Sequence, residues 1–191
     1  MRITGGQARG IPLKTGKLTG VRPATDRSRE SLFSSLGGQL ENSLRVLDLF
    51  AGVGSYGLEA LSRGAGSCCF VEKDPKTLAV LKENCRAVCK SAGRDSSVAA
   101  IRRGDAFQFQ SPNPVDLVFM DPPYELTRQR ILDLMTLAEA CLLPEGTWIL
   151  EAPADLEIPQ GPFVLVGRLG KKSGRDEPAL YRFTLNPPPA G

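Results

Sequence analysis

A chain of 191 residues, 41% apolar and 24% charged, is long enough for one sizeable core and short enough for one domain with an appendage. Its formal charge is +3, no run approaches 18 uninterrupted apolar residues, and the start "MRITGGQARG" has no apolar h-region, so neither a membrane span nor a signal peptide is indicated and a cytoplasmic location is expected. Histidine is absent, which excludes Ser-His-Asp and Cys-His nucleophilic sites, and the five cysteines form no CxxC pair, so no metal site is expected.

Residues 1–44 read as a small basic appendage. "RITGGQARGIPLKT" places Gly5-Gly6 between short stretches able to pair as a hairpin, and "TDRSRESLFSSLGG" is a helix capped by Thr25 or Asp26 and closed at Gly37-Gly38. Residues 1–45 carry eight Lys/Arg against Asp26, Glu30 and Glu41, a balance of +5 that leaves −2 for the rest. Such a segment suits a nucleic acid, and equally a merely solvated face.

From residue 45 strands and helices alternate. "RVLDLF" (45–50) is a strand, and "YGLEALSRG" after it a helix closed by a glycine. "SCCFVEKD" (67–74) is a second strand, followed by a helix from Pro75 to Ser91 with Leu78, Leu81, Cys85 and Val88 on one stripe. Strands at 97–105 and 115–121, a helix at 128–142 and a strand at 146–152 follow. The last two strands, 163–169 and 179–185, are joined by the polar loop "GKKSGRDEP" with no helix between them. Alternation implies a mostly parallel α/β sheet, and the helix-free connection implies that the last strand is antiparallel. The unit is expected to span 45–186, with a disordered tail at 187–191.

"DLFAGVGSYG" fits G-x-G-x-x-G at Gly52, Gly54 and Gly57 between a strand and a helix, and Glu72 ends the next strand where an acid can take ribose hydroxyls. Alone this is a dinucleotide fingerprint. Asp48, four residues before Gly52, argues otherwise, because a carboxylate facing a pyrophosphate across a short gap is unfavourable. Asp105, in "GDAF", puts another carboxylate on the same edge, in position to accept from an adenine amino group. S-adenosylmethionine has no phosphate and carries a sulfonium and an ammonium, so three acids on one edge favour it over NAD.

"FMDPPY" (119–124) ends a buried strand on a carboxylate and two prolines. An exocyclic amine on a base is a poor nucleophile because its lone pair is delocalised into the ring. Two acceptors for its two hydrogens, the Asp121 carboxylate and the Pro122 carbonyl, favour a pyramidal nitrogen. Pro123 forces Pro122 out of the helical region and stiffens that corner, and Tyr124 is placed to stack on an extruded base. Asp121 is expected to keep an ordinary carboxylate pKa, leaving water as the final proton acceptor.

"DLFAGVGSYGLEALSRGA" with "DPPY" resembles the class I, Rossmann-like amino-methyltransferases, and "RITGGQARGIPL" followed by "RPATDRSRESLFSSL" is similar to the signature of the bacterial 16S rRNA (guanine-N2)-methyltransferases of the RsmD type. The resemblance implies a seven-stranded sheet of order 3-2-1-4-5-7-6, and methyl transfer from S-adenosylmethionine to the N2 amine of a guanine in 16S rRNA or a small-subunit assembly intermediate, by a monomer without metal. A DNA adenine-N6 methyltransferase would use the same acceptor pair, but this length leaves little room for a target-recognition region. A non-catalytic ribosome-assembly factor is the other alternative. The expected cofactor set is Asp48, Phe50, Ala51, Gly52, Gly54, Gly57, Glu72, Lys73, Asp105 and Ala106; the catalytic set is Asp121, Pro122, Pro123 and Tyr124. Arg9, Arg22, Arg27, Arg29, Lys171, Lys172 and Arg175 are the expected RNA-binding cations.

Overall fold

The computed structural model describes residues 1–16, 25–37, 40, 43–170 and 177–186, so the expected disordered tail lies outside the described residues. In chain order the elements are α1 (Asp26–Leu36), β1 (Arg45–Leu49), α2 (Ser55–Ser62), β2 (Ser67–Glu72), α3 (Pro75–Ser91), β3 (Ala99–Arg103), β4 (Val115–Met120), α4 (Tyr124–Cys141), β5 (Leu142–Pro153), β6 (Phe163–Gly170) and β7 (Pro178–Leu185). The strands form one sheet of order β3-β2-β1-β4-β5-β7-β6. Neighbours pair in parallel from β3 to β5, and β7 lies antiparallel between β5 and β6, so only the last strand is reversed, as expected. Among the described residues no helix is long and apolar enough to cross a membrane.

The period of two decides what each face buries. Leu117 and Phe119 of β4 join the core under the N-terminal segment, α1, α2 and α3, whereas Val118 and Met120 join the core under α4. Because both faces are covered, β1 and β4 read as nearly continuous apolar runs. By the same parity Asp48 shares a face with Val46 and points at α2, where one of its oxygens accepts from Gly57 N at 2.9 Å.

Three elements depart from the expected bounds. α4 starts at Tyr124 rather than 128, with a break at Arg130 (φ −131°, ψ 28°) joining two helical pieces. Its polar first piece has no apolar stripe to announce it. It is held by Thr127, whose backbone N donates to the Pro123 carbonyl at 2.9 Å and whose hydroxyl donates to the same oxygen at 3.2 Å. β5 begins at Leu142 rather than 146, and the register jumps from Val115↔Leu142 to Leu117↔Thr147, so Pro144 sits in a bulge where no ladder donor is needed. β3 is shortened by a 3₁₀ turn at Ser96–Val98.

The N-terminal segment is a hairpin, with Ile3 N donating to Ile11 O and Gly10 N donating to Ile3 O, both at 2.9 Å. It is welded to the sheet domain rather than hung beside it. Ile3, Ala8 and Leu13, with Leu32, Phe33 and Leu36 of α1, share a core with Leu58, Leu61 and Phe119. Gly6 is required by that contact: its φ is +75°, and a Cβ there would lie 1.9 Å from the Ser62 carbonyl oxygen. Glu59, fully buried in α2, accepts from Thr4 N, Thr4 Oγ1, Gly5 N and Arg63 Nε, all at 2.8 Å. Glu59→Ala strands those donors, so it is expected to cost about 3 kcal/mol. A urea-unfolding midpoint checks this, and limited proteolysis should show residues 1–13 released first; an unchanged midpoint would mean that the hairpin does not depend on this clamp.

Candidate active site

A cleft of about 330 Å³ opens at the carboxyl ends of β1 to β4. It is built on the turn after β1. Phe50 has φ +62°, a strained conformation for a side chain of that size, and packs edge-on against Phe107 with ring centroids 5.5 Å apart. Ala51 N donates to Val71 O at 3.0 Å, and Gly52 N, at φ +56°, donates to Glu72 Oε2 at 2.9 Å. The other Glu72 oxygen accepts from Asp74 N at 2.8 Å, so two amides aim this carboxylate at the cleft. Asp105 caps the turn Ala106–Gln108 through Phe107 N at 2.9 Å. Asp48, Phe50, Ala51, Gly52, Glu72, Lys73, Asp105, Ala106, Asp121 and Pro123 all line the cleft.

The other two glycines of the motif do not line it, because they serve packing. A Cβ on Gly54 (φ +89°) would lie 2.5 Å from Leu81 Cδ1, and one on Gly57 would lie 2.4 Å from the Phe70 ring and 2.5 Å from Cys68 Sγ. Gly57 therefore lets α2 close on β2, and only Gly52 is at the cleft. Pro122 and Tyr124 are not lining residues either: Tyr124 is drawn into the first turn of α4, and the Pro122 carbonyl has a long contact, 3.5 Å, with the Thr127 hydroxyl. Buried Asn84, which the sequence did not flag, donates to the carbonyls of Val53 (3.0 Å) and Lys14 (2.9 Å), tying the cofactor turn to the hairpin.

The cleft floor holds carboxylates taken out of water. Burial pushes the Asp48 carboxyl up to about 8, against the Gly57 hydrogen bond and with help from the Glu72 charge. Burial, with the charges of Glu151 and Asp48, raises Asp121 well above the usual carboxylate range, contrary to the expected ordinary pKa. Glu151, missed from the sequence, is 1% exposed and pushed up to about 7 by burial, while its hydrogen bond from Tyr56 and the Arg29 charge pull the other way. The Tyr56 hydroxyl donates to Glu151 Oε2, and its ring stacks on Phe119 with centroids 5.3 Å apart. Burial and the Glu151 and Asp121 charges raise Tyr56 well above its usual value, so it stays a phenol. A carboxylate interrupting the buried run "WILEA" was the available signal for Glu151; Tyr56 had none.

The cations expected to bind RNA divide. Arg27 is exposed on α1, but Arg29 is fully buried and cannot meet RNA directly: its guanidinium donates to Arg2 O at 2.6 Å and to Asp26 at 2.7 Å. Arg9 is exposed, yet it sits at the hairpin turn, where Gln7 N donates to Ser62 O at the far end of α2. That end is about 10 Å along the helix from cleft-lining Tyr56. Arg22, Lys171, Lys172 and Arg175 lie outside the described residues.

A cleft this acidic suits a ligand bearing positive charge and disfavours a pyrophosphate. A sheet of this order with such a cleft at its carboxyl edge defines a class I, Rossmann-like methyltransferase. The chain belongs to the family described as Conserved hypothetical protein 95, whose model matches residues 1–182. It is 32% identical over 192 residues to the Bacillus subtilis protein named "Putative rRNA methyltransferase YlbH", covering 95% of this chain and 98% of that one. It is 38% identical over 124 residues to the Ribosomal RNA small subunit methyltransferase D of Escherichia coli, covering 65% of this chain and 60% of that one. Among solved structures, the Escherichia coli "Putative methyltransferase yhhF" superposes with a TM-score of 0.77 at 32% identity over 97% of each chain.

Raised carboxyl pKa values make the ligand-free fold pH-dependent. The folded state keeps protons on Asp48 and Glu151 that the unfolded chain releases above roughly pH 4. The stability they contribute is therefore complete below that pH and lost as pH rises through about 7 and about 8. The melting temperature of the ligand-free protein should fall between pH 5 and pH 8.5, and Asp48→Asn should flatten the upper part of that fall; a flat profile in the parent protein would contradict the burial of these acids.

Proposed function

We propose that the protein transfers a methyl group from S-adenosylmethionine to the N2 amine of a guanine in small-subunit rRNA. The observation that carries this reading is the placement of Asp121, with Pro123 beside it, in an acid-lined cleft. The names of the relatives support rRNA as the substrate class. When bound, the cofactor supplies an electrophilic methyl on a sulfonium. The chain does the rest. Asp48, Glu72 and Asp105 would hold it, Asp48 offering a buried carboxylate that has no basic partner among the described residues.

On receiving the methyl group, the target amine would have to lose a proton. Asp121 would take it in its ionised form, which a bound sulfonium favours and which the raised carboxyl makes a stronger base than an ordinary carboxylate, in place of the water expected from an ordinary pKa. Catalysis is otherwise positioning and acceptor geometry. The direct test is labelled-methyl transfer from S-adenosylmethionine to naked rRNA, to small subunits and to DNA, followed by nucleoside analysis; N2-methylguanine from rRNA or subunits is expected, and N6-methyladenine from DNA would overturn the reading.

Asp121→Ala should leave cofactor affinity within about threefold while lowering methyl transfer by about 10²–10³, the usual cost of one well-placed transition-state group. Turnover above half the parent rate would remove Asp121 from the chemistry. Exposed Arg27 and buried Arg29 should behave differently. Arg27→Ala is expected to lower the log–log salt slope of RNA binding by about one unit, and Arg29→Ala to lower the melting temperature instead. RNA affinity against salt, with thermal melts of both variants, checks the split.

A further inference from the structure

A second cavity, of about 190 Å³, lies beside the Tyr56–Glu151 hydrogen bond. Arg27, Ser28 and Ser31 of α1 line it from one side, and Gly170 and Pro178, at the facing ends of β6 and β7, from another. Glu151 lines this cavity while its partner Tyr56 lines the cofactor cleft, so the two spaces meet at a hydrogen-bonded pair. Glu151 Oε2 accepts from the Tyr56 hydroxyl, and among the described residues no hydrogen bond reaches Oε1. Leu150 pairs in register with Met120, so the next residues, Glu151 and Asp121, stand side by side on adjacent strands and on the same face of the sheet.

On the reading that the target is a guanine amine, we propose that this second cavity receives the extruded base and that Glu151 Oε1 accepts the N1–H of guanine, selecting that purine beside the amine that Asp121 holds. Guanine presents N1–H and the N2 amine as neighbouring donors on its Watson–Crick edge, which is the edge an enzyme reads on a flipped base. In their ionised forms, two adjacent carboxylates match two adjacent donors. Adenine offers a bare N1 there, which would set two lone pairs against each other in a dry site. A site built to hydrogen-bond one group rejects analogues that lack it more strongly than an apolar pocket can. Tyr56 fixes the carboxylate in one orientation, and Arg27 at the same cavity provides a cation for a flanking phosphate.

The test compares the rRNA substrate with a copy carrying 2-aminopurine at the methylated position, which keeps the N2 amine and has no N1–H. A parent protein that methylates no guanine in rRNA overturns the underlying function, and this inference with it. Given an active parent, both RNA affinity in S-adenosylhomocysteine and kcat/KM should favour guanine by about tenfold or more. Glu151→Gln, which can turn an amide donor toward the base while still accepting from Tyr56, should lose about tenfold on the guanine RNA and less than about twofold on the 2-aminopurine RNA. Glu151→Asp serves as a second variant if the first does not fold, with the same selective loss expected. A parent indifferent to the two RNAs overturns the proposal, and so does a variant whose losses on the two are equal or absent, since a carboxylate that only anchors Tyr56 would affect both alike.

Discussion

Asp48 and Glu151, both buried, and half-buried Asp121 stand at the carboxyl ends of three adjacent strands on the face that α1 and α2 cover, and desolvation favours their neutral forms. What surrounds them follows from that cost. Tyr56 is held as a phenol so that it can donate to Glu151, and Arg29 is drawn into the interior of α1, where its charge offsets part of the burial. A cationic cofactor brings the missing positive charge, so ligand binding and the protonation of the floor are linked.

The same requirement explains why the basic front segment is part of the catalytic unit. α1 can carry Arg29 toward Glu151 only if it is fixed against the sheet, and Leu32, Phe33 and Leu36 fix it there. The hairpin completes that layer, and Glu59 binds it to α2 through four donors. One end of the hairpin reaches the cofactor turn through Asn84, and Met1 lines the cleft. The basic front segment and the cofactor turn are therefore tied together.

The glycine turn shows how one motif divides its work. Gly52 meets the cleft, whereas Gly54 and Gly57 admit the side chains of α3 and β2. Phe50 holds a left-handed conformation at the same turn, and such strain is tolerated where neighbouring structure over-determines it. Here Ala51, bonded to β2, and Phe107, packed on the ring, supply that constraint.

Alternating apolar runs and helical stripes made the strands, their mostly parallel arrangement and the reversed last strand legible from residues alone, because those signals are local and periodic. The acids near strand ends were partly legible for the same reason: Glu72 and Asp121 each close an apolar run, Asp48 interrupts one, and Asp105 follows another after Arg102, Arg103 and Gly104. The first turns of α4 were not, since a polar helix held by Thr127 and a proline carbonyl has no period to read. Charge by itself could not separate exposed Arg27 from buried Arg29, two residues apart on one helix, because burial depends on what packs against each face. Nor could a sequence bring Tyr56 and Glu151, ninety-five positions apart, into one hydrogen bond. Order along the chain determined which groups reach the carboxyl edge of the sheet, while the packing of α1 and α2 over that edge decided which of them lose water and which meet.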